Sequence, residues 1–143
     1  MEAVEYECAE LVLVTTATIT STARVALANL CSRGLKVGLC KPRHFRPFPV
    51  AAVRMVLDNV PRVAVLESNI SLGQEGIFCS EVKAALVDSP GHPKIQGHLA
   101  GIVGTDVNPQ MIEWVVKDAL SRERFVDQPI WVDDAAAEGS YNE

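Results

Sequence analysis

A repeated switch between two periodicities constrains this chain most. Residues 10–16, ELVLVTT, form a short apolar run rich in β-branched residues, and residues 21–33 change to helical spacing. There Ala23, Ala26, Leu27, Leu30 and Cys31 recur at i, i+3, i+4, i+7 and i+8. Gly34 follows as a natural helix stop. The switch recurs three more times. Strands are predicted over 36–40, 62–66 and 94–100, and helices over 49–58, 76–87 and 109–121. Pro49 can open the second helix; Asn108 and Pro109 form a cap and first residue for the fourth.

The order is βαβαβαβα. Apolar strands joined by helical crossovers demand a sheet buried on both faces. The expected fold is therefore an α/β three-layer sandwich, with a mostly parallel sheet, helices on both faces and right-handed crossovers. With 143 residues the chain suits one compact domain. Residues 10–121 form that domain, after an acidic segment 1–9. Residues 122–143 form a C-terminal tail, where Trp131 adds an edge strand or docks on a partner and the final residues fray.

The net charge of −5 lacks the basic footprint of nucleic-acid binding. No apolar run is long enough to span a membrane, and the acidic start is not a signal peptide, so the expected location is the cytoplasm. Cys8, Cys31, Cys40 and Cys79 form no CxxC pair and fit neither zinc nor iron–sulfur spacing. Cys31, on the apolar face of a predicted helix, and Cys40, at the end of an apolar strand, read as buried small hydrophobes.

In an open α/β sheet ligands gather at the carboxyl ends of the strands, here loops 15–22, 40–48, 67–75 and 101–108. The first, TTATITST, is rich in hydroxyls that read as helix caps. The second, KPRHFRPFP, gathers Lys41, Arg43, His44 and Arg46 among three prolines, with Phe45 and Phe48. Arginines on a stiff loop can grip carboxylates or anchor a neighbouring domain. The same loop can equally be solvated, with a phenylalanine plugging the core. The third loop carries Glu67, Asn69 and Gly73, and its glycines permit close approach of another surface. The fourth, GIVGTDVN, carries Gly104 and Asp106, the latter suited to bond the turn backbone. The interface or anion-binding candidates are thus Arg43, His44, Arg46, Phe48, Glu67, Asn69, Gly73, Gly104 and Asp106. No HExxH, GxSxG or paired acid and base is present, so these residues lack a complete catalytic kit and assign no cofactor or metal to this chain.

The stretch GLKVGLCKPRHFRPFP at 34–49 resembles the glycine-to-RPFP segment of pyruvate and related 2-oxoacid:ferredoxin oxidoreductases. VAVLESNISLGQEGIFCSEVKAAL at 63–86 and HLAGIVGTDVNPQMIEWVVKDAL at 98–120 keep that family's order, and the resemblance covers roughly residues 4–120. It implies a domain like the transketolase C-terminal domain, closing the alpha part of the assembly, with MEAVEYECAE similar to the linker before it. The chain would then open at a domain boundary. It further implies a complex in which thiamine diphosphate, magnesium, iron–sulfur clusters and coenzyme A are held mainly elsewhere. The partners would be thiamine-binding and ferredoxin-like chains, with ferredoxin engaged indirectly, and two copies per complex or a homodimer. Two positions depart from the family's habit: Ser68 follows Glu67 where a basic residue is common, and Thr105 precedes Asp106 where an arginine is common. The leading expectation is a non-catalytic domain or split subunit. The alternative is a free-standing anion or small-ligand module built on loop 41–48, and an independent enzyme ranks last.

Overall fold

The computed structural model describes residues 1–102 and 104–132. Six strands form one sheet: β1 (Glu2–Val4), β2 (Leu11–Thr15), β3 (Val37–Lys41), β4 (Arg62–Glu67), β5 (Lys94–Leu99) and β6 (Ile130–Trp131). Four helices join them: α1 (Ile19–Ser32), α2 (Val50–Leu57), α3 (Ile77–Leu86) and α4 (Pro109–Ser121). The strand order is β1-β3-β2-β4-β5-β6, parallel throughout except for β1, which runs antiparallel to β3.

Period-two alternation sorts each central strand between two cores. Leu11, Leu13, Ala64 and Leu66 face the layer of α1 and α4. Val12, Val14, Val63 and Val65 face the layer of α2 and α3. All five residues of β2 are buried, as a central strand covered on both faces requires. This is the three-layer sandwich that the periodicity predicts.

Local chemistry sets the helix ends. Past Arg33, Gly34 takes φ +90, its N–H donates to Cys31 O, and Leu35 N donates to Leu30 O. That is a Schellman stop, which needs a residue tolerant of positive φ. Asn108 caps α4 by accepting from Met111 N at 2.8 Å, with Pro109 behind it. The hydroxyls before α1 behave otherwise. Thr18 at the N-cap makes no side-chain bond, and Thr15 instead donates to Thr20 at 3.0 Å inside the core. Both threonines are buried, and a buried hydroxyl needs a nearby partner more than a helix end near solvent needs a cap.

Both ends of the described residues are built into the sheet. Residues 1–9, linker-like in sequence, contribute β1, whose Glu2 is bonded by Arg24 from α1 and by Arg43 at 3.5 Å. The chain then crosses β3 at Gly38, where a Cβ would stand 2.9 Å from Glu5 O. At the other end Ile130 and Trp131 pair with His98 and Leu99. The expected fraying of the last residues falls on 133–143, outside the described residues.

Candidate functional site

The chain leaves β2 for β3 on one side, then returns past β2 to β4 on the other. The helices that follow β2 and β4 consequently lie on opposite faces, and a crevice opens between the two strand ends. Here it is a cleft of about 280 Å³. Thr18 and Thr22 line it from the start of α1, Ser68 from the end of β4, and Gly101, Thr105 and Asp106 from the loop after β5. Gly101 has φ +72, and a Cβ there would stand 2.9 Å from Val107 Cγ2 and 3.2 Å from Ser68 Oγ. The loop folds back over the cleft because that position has no side chain. Asp106 is the one carboxylate among the described lining residues, and it is exposed. Four hydroxyls and one carboxylate can hydrogen-bond a polar surface; they lack the paired acid and base of hydrolytic or proton-transfer chemistry.

The nine candidate residues do not converge. Asp106 lies in the cleft, and Gly104, exposed with φ +77, lies in the same loop. Asn69 and Gly73 are exposed on the loop after β4. Gly73 borders a separate shallow polar hollow with Glu75, Ser80 and Asp127.

Glu67 turns into the core, 1% exposed. Its carboxylate accepts from Phe78 N and Cys79 N, both at 2.9 Å, and so holds the first turn of α3. Burial pushes this carboxyl above the usual range, the two N–H groups pull it down, and Glu75 adds repulsion. A carboxylate at a helix N-terminus also complements the helix dipole. Glu67 is therefore a structural cap, hidden from any partner surface.

The arginine loop forms a third group. Arg46 pairs with Glu81 at 2.7 Å and lies 4.0 Å over the ring of Phe45, which packs on Phe78 at 4.9 Å. Arg43 pairs with Glu2, His44 is exposed, and half-buried Phe48 packs on the α2/α3 core. Both arginines already have carboxylates, so an anion would compete with Glu2 and Glu81. The loop is fastened to its own domain on both sides.

One buried polar group was invisible to motif reading. Gln96 and His98 on β5 are both fully buried. His98 Nε2 lies 3.0 Å from Asp118 Oδ2, and Arg122 donates to both Asp118 oxygens at 2.7 and 2.9 Å. Gln96 donates to Gln128 O at 3.2 Å and accepts from Val126 N at 2.9 Å. Two polar residues at alternate positions of the predicted strand 94–100, which ends in Leu99 and Ala100, were the available signal, since they demand internal partners if buried. Those partners tie residues 122–132 to the sheet.

Among the described residues no three His, Cys, Asp or Glu side chains converge. Burial pushes the Cys40 thiol up to about 12 and raises that of Cys79 as well. Also among these residues, no helix is long and apolar enough to cross a membrane.

Comparison with known proteins gives this geometry its family. Residues 9–112 match the model of pyruvate:ferredoxin oxidoreductase core domain II. Over 124 residues the chain is 36% identical to the pyruvate synthase subunit PorA of Methanothermobacter thermautotrophicus, covering 85% of this chain and 31% of that one. It is 36% identical over 110 residues to the ketoisovalerate oxidoreductase subunit VorA of Pyrococcus furiosus, covering 77% and 28%. It thus spans about a third of the curated relatives it matches. Two solved structures share the fold. One is the 2-oxoglutarate:ferredoxin oxidoreductase of Magnetococcus marinus, at TM-score 0.60 and 24% identity over 84% of this chain and 19% of that one. The other is a split-gene transketolase, at 0.63 and 17% over 86% and 42%. A parallel sheet of this order and a family match over residues 9–112, most of the chain, agree: this chain belongs to the pyruvate:ferredoxin oxidoreductase core domain II family.

Proposed function

We propose that this chain is a non-catalytic domain or split subunit of a thiamine-dependent 2-oxoacid:ferredoxin oxidoreductase, the part equivalent to the transketolase C-terminal domain. Its work is assembly and placement: it holds neighbouring domains around an active site built elsewhere. The observation that carries this reading is the family match at 9–112 in a chain spanning about a third of its relatives. The site chemistry supports it. The cleft presents hydroxyls and one carboxylate, suited to bonding another protein surface and short of what decarboxylation or electron transfer needs. Thiamine diphosphate, magnesium, iron–sulfur clusters and coenzyme A belong in this reading to partner chains, with ferredoxin the indirect electron acceptor. Loop 41–48 serves as structure, because its two arginines are spent on Glu2 and Glu81.

Reconstitution tests it. The chain would be mixed with the purified thiamine-binding and iron–sulfur polypeptides of its source, and 2-oxoacid-dependent reduction of ferredoxin followed. Neither fraction should turn over alone, and together they should. Full activity of the partners without this chain would refute the assembly role.

A further inference from the structure

Helix α1 packs on β2 and β3, and α4 on β2 and β4. β1 lies one strand further out, beside β3. On the α1 face the sheet therefore reaches one strand beyond its helices, and a groove of about 380 Å³ opens between α1 and β1. Val37 and Leu39 of β3 form its floor, Val4 of β1 one wall, and Leu27 and Ala28 of α1 the other. The register sets Val4 opposite Leu39, on the same face of the sheet. Val4 is 47% exposed and Ala28 is exposed, so these apolar walls meet solvent. The volume falls in the range of small-ligand sites.

Two polar bridges cross the groove. Arg24 reaches from α1 to Glu2 at the start of β1, and Cys31 Sγ reaches from α1 to Glu5 Oε2, just past the end of β1, at 3.5 Å. Arg24, Leu27, Ala28 and Cys31 stand at i, i+3, i+4 and i+7, one stripe of the helix. Arg24 and Cys31 are two turns apart, so the apolar stretch between the bridges is about 10 Å long. The bridges differ in charge. Glu2 holds two guanidiniums, those of Arg24 and, at 3.5 Å, Arg43. Glu5 is exposed and has no cationic partner among the described residues. Its thiol partner is a weak donor, and Val37 O, 3.6 Å from the same Sγ, competes for the one proton. A carboxylate in the groove would have to displace Glu2 from Arg24 and lie between two carboxylates. A cation has only a thiol to displace.

We infer that this groove binds a small aliphatic ammonium ion, its chain lying between α1 and β1 and its head on Glu5. At about 1.5 Å per bond, a hexyl chain with its nitrogen fits between the bridges. Burial of the chain supplies the affinity, and Glu5 selects the head group. The site goes beyond the subunit reading and does not rest on it.

The test is titration of the full chain with hexylammonium, hexanol and hexanoate, followed by amide chemical shifts. Saturable shifts are expected at Val4, Ala28 and Leu39. Hexylammonium should bind about threefold tighter than hexanol, the gain that one ion pair near solvent supplies, and hexanoate should bind weakest. Glu5→Gln should erase the preference for hexylammonium and leave hexanol binding unchanged. Ala28→Trp fills the groove from an exposed helix position and should abolish binding of both, with circular dichroism unchanged. Val4→Trp fills it from β1 and serves where the helix variant misfolds. Tightest binding by hexanoate, or a preference for hexylammonium that survives Glu5→Gln, overturns the inference. So does the absence of a saturable shift with all three. Binding that survives both tryptophan variants lies outside the groove and overturns it as well.

Discussion

The carboxylate of Glu67 fills the space that a side chain at Gly76 would need. A Cβ there would stand 3.0 Å from Glu67 Cγ and collide with the carboxyl group beyond it. Gly76 has φ −61, so its lack of a side chain answers to space and not to backbone strain. The acid that ends β4 and the glycine that precedes α3 form one joint, which sets how α3 leaves the sheet.

Gly76→Ala should therefore act as an overpacking lesion. The methyl must displace a carboxylate that holds two backbone N–H groups. The expected cost is about 1–3 kcal/mol, read as a lower urea midpoint with an unchanged denaturant slope. Restored stability in the double variant Gly76→Ala, Glu67→Ala would identify the collision as the cause. An unaltered midpoint in the single variant would show that the joint tolerates a methyl.

The same carboxylate carries a pH signature. Burial raises the folded pKa of Glu67 above its ordinary 4.5. A group raised on folding contributes stability that is full below the unfolded value and lost as pH rises through the folded one. The stability of the native chain minus that of Glu67→Gln, which cannot ionise, should fall from pH 4.5 upward and then level. A difference that grows with pH would mean that the Phe78 and Cys79 N–H groups outweigh burial.

Asp118 should behave in the opposite sense. Burial raises its carboxyl, but the bonds from His98 and Arg122 outweigh it and leave the pKa below 3.8. Its contribution is present above 3.8 and lost as pH falls through the folded value. Asp118→Asn should destabilise at neutral pH by about 1–3 kcal/mol, because His98 is fully buried and loses its charged partner. Chemical denaturation from pH 7 to pH 2 should show that gap closing only at the acid end. A gap constant across the range would assign the effect to packing.

The contrast between Glu67 and Asp118 shows where the sequence was legible. Leu11 to Val14, with their alternating destinations, and Asn108 with Pro109 announce themselves locally, because period and capping depend on near neighbours. The hydroxyls of 15–22 read as caps, but Thr15 and Thr20 pair with each other because of burial, which only the packed sheet creates. Glu67 followed the same logic: a carboxylate at a strand end reads as available until α3 is folded across it. Arg43 and Arg46 form a positive cluster in sequence, but their partners Glu2 and Glu81 lie 41 and 35 residues away. The cleft residues Thr18, Ser68 and Asp106 come from three loops, and only the strand order brings them together.

Gln96 offers the sharpest test of how the C-terminal segment is held. Its amide accepts from Val126 N and donates to Gln128 O, reading the backbone of residues 126–128 with no help from their side chains. Beyond them Val132 N donates to Leu99 O at 2.9 Å, which closes the β5–β6 edge. Gln96→Leu keeps the bulk and removes both bonds. Two backbone groups of the segment then lose their partners, at a cost of about 1–3 kcal/mol each where water cannot replace them. Hydrogen exchange should report this locally. The Val126 and Val132 amides should lose protection by one to two orders of magnitude, while Leu13 and Val65 in the central strands should keep theirs. Because β6 covers only the last two residues of β5, the sheet itself does not depend on it, and the variant should stay folded. Uniform loss of protection across the central strands would mean that residues 122–132 are a structural part of the core and not a strap fastened to its edge.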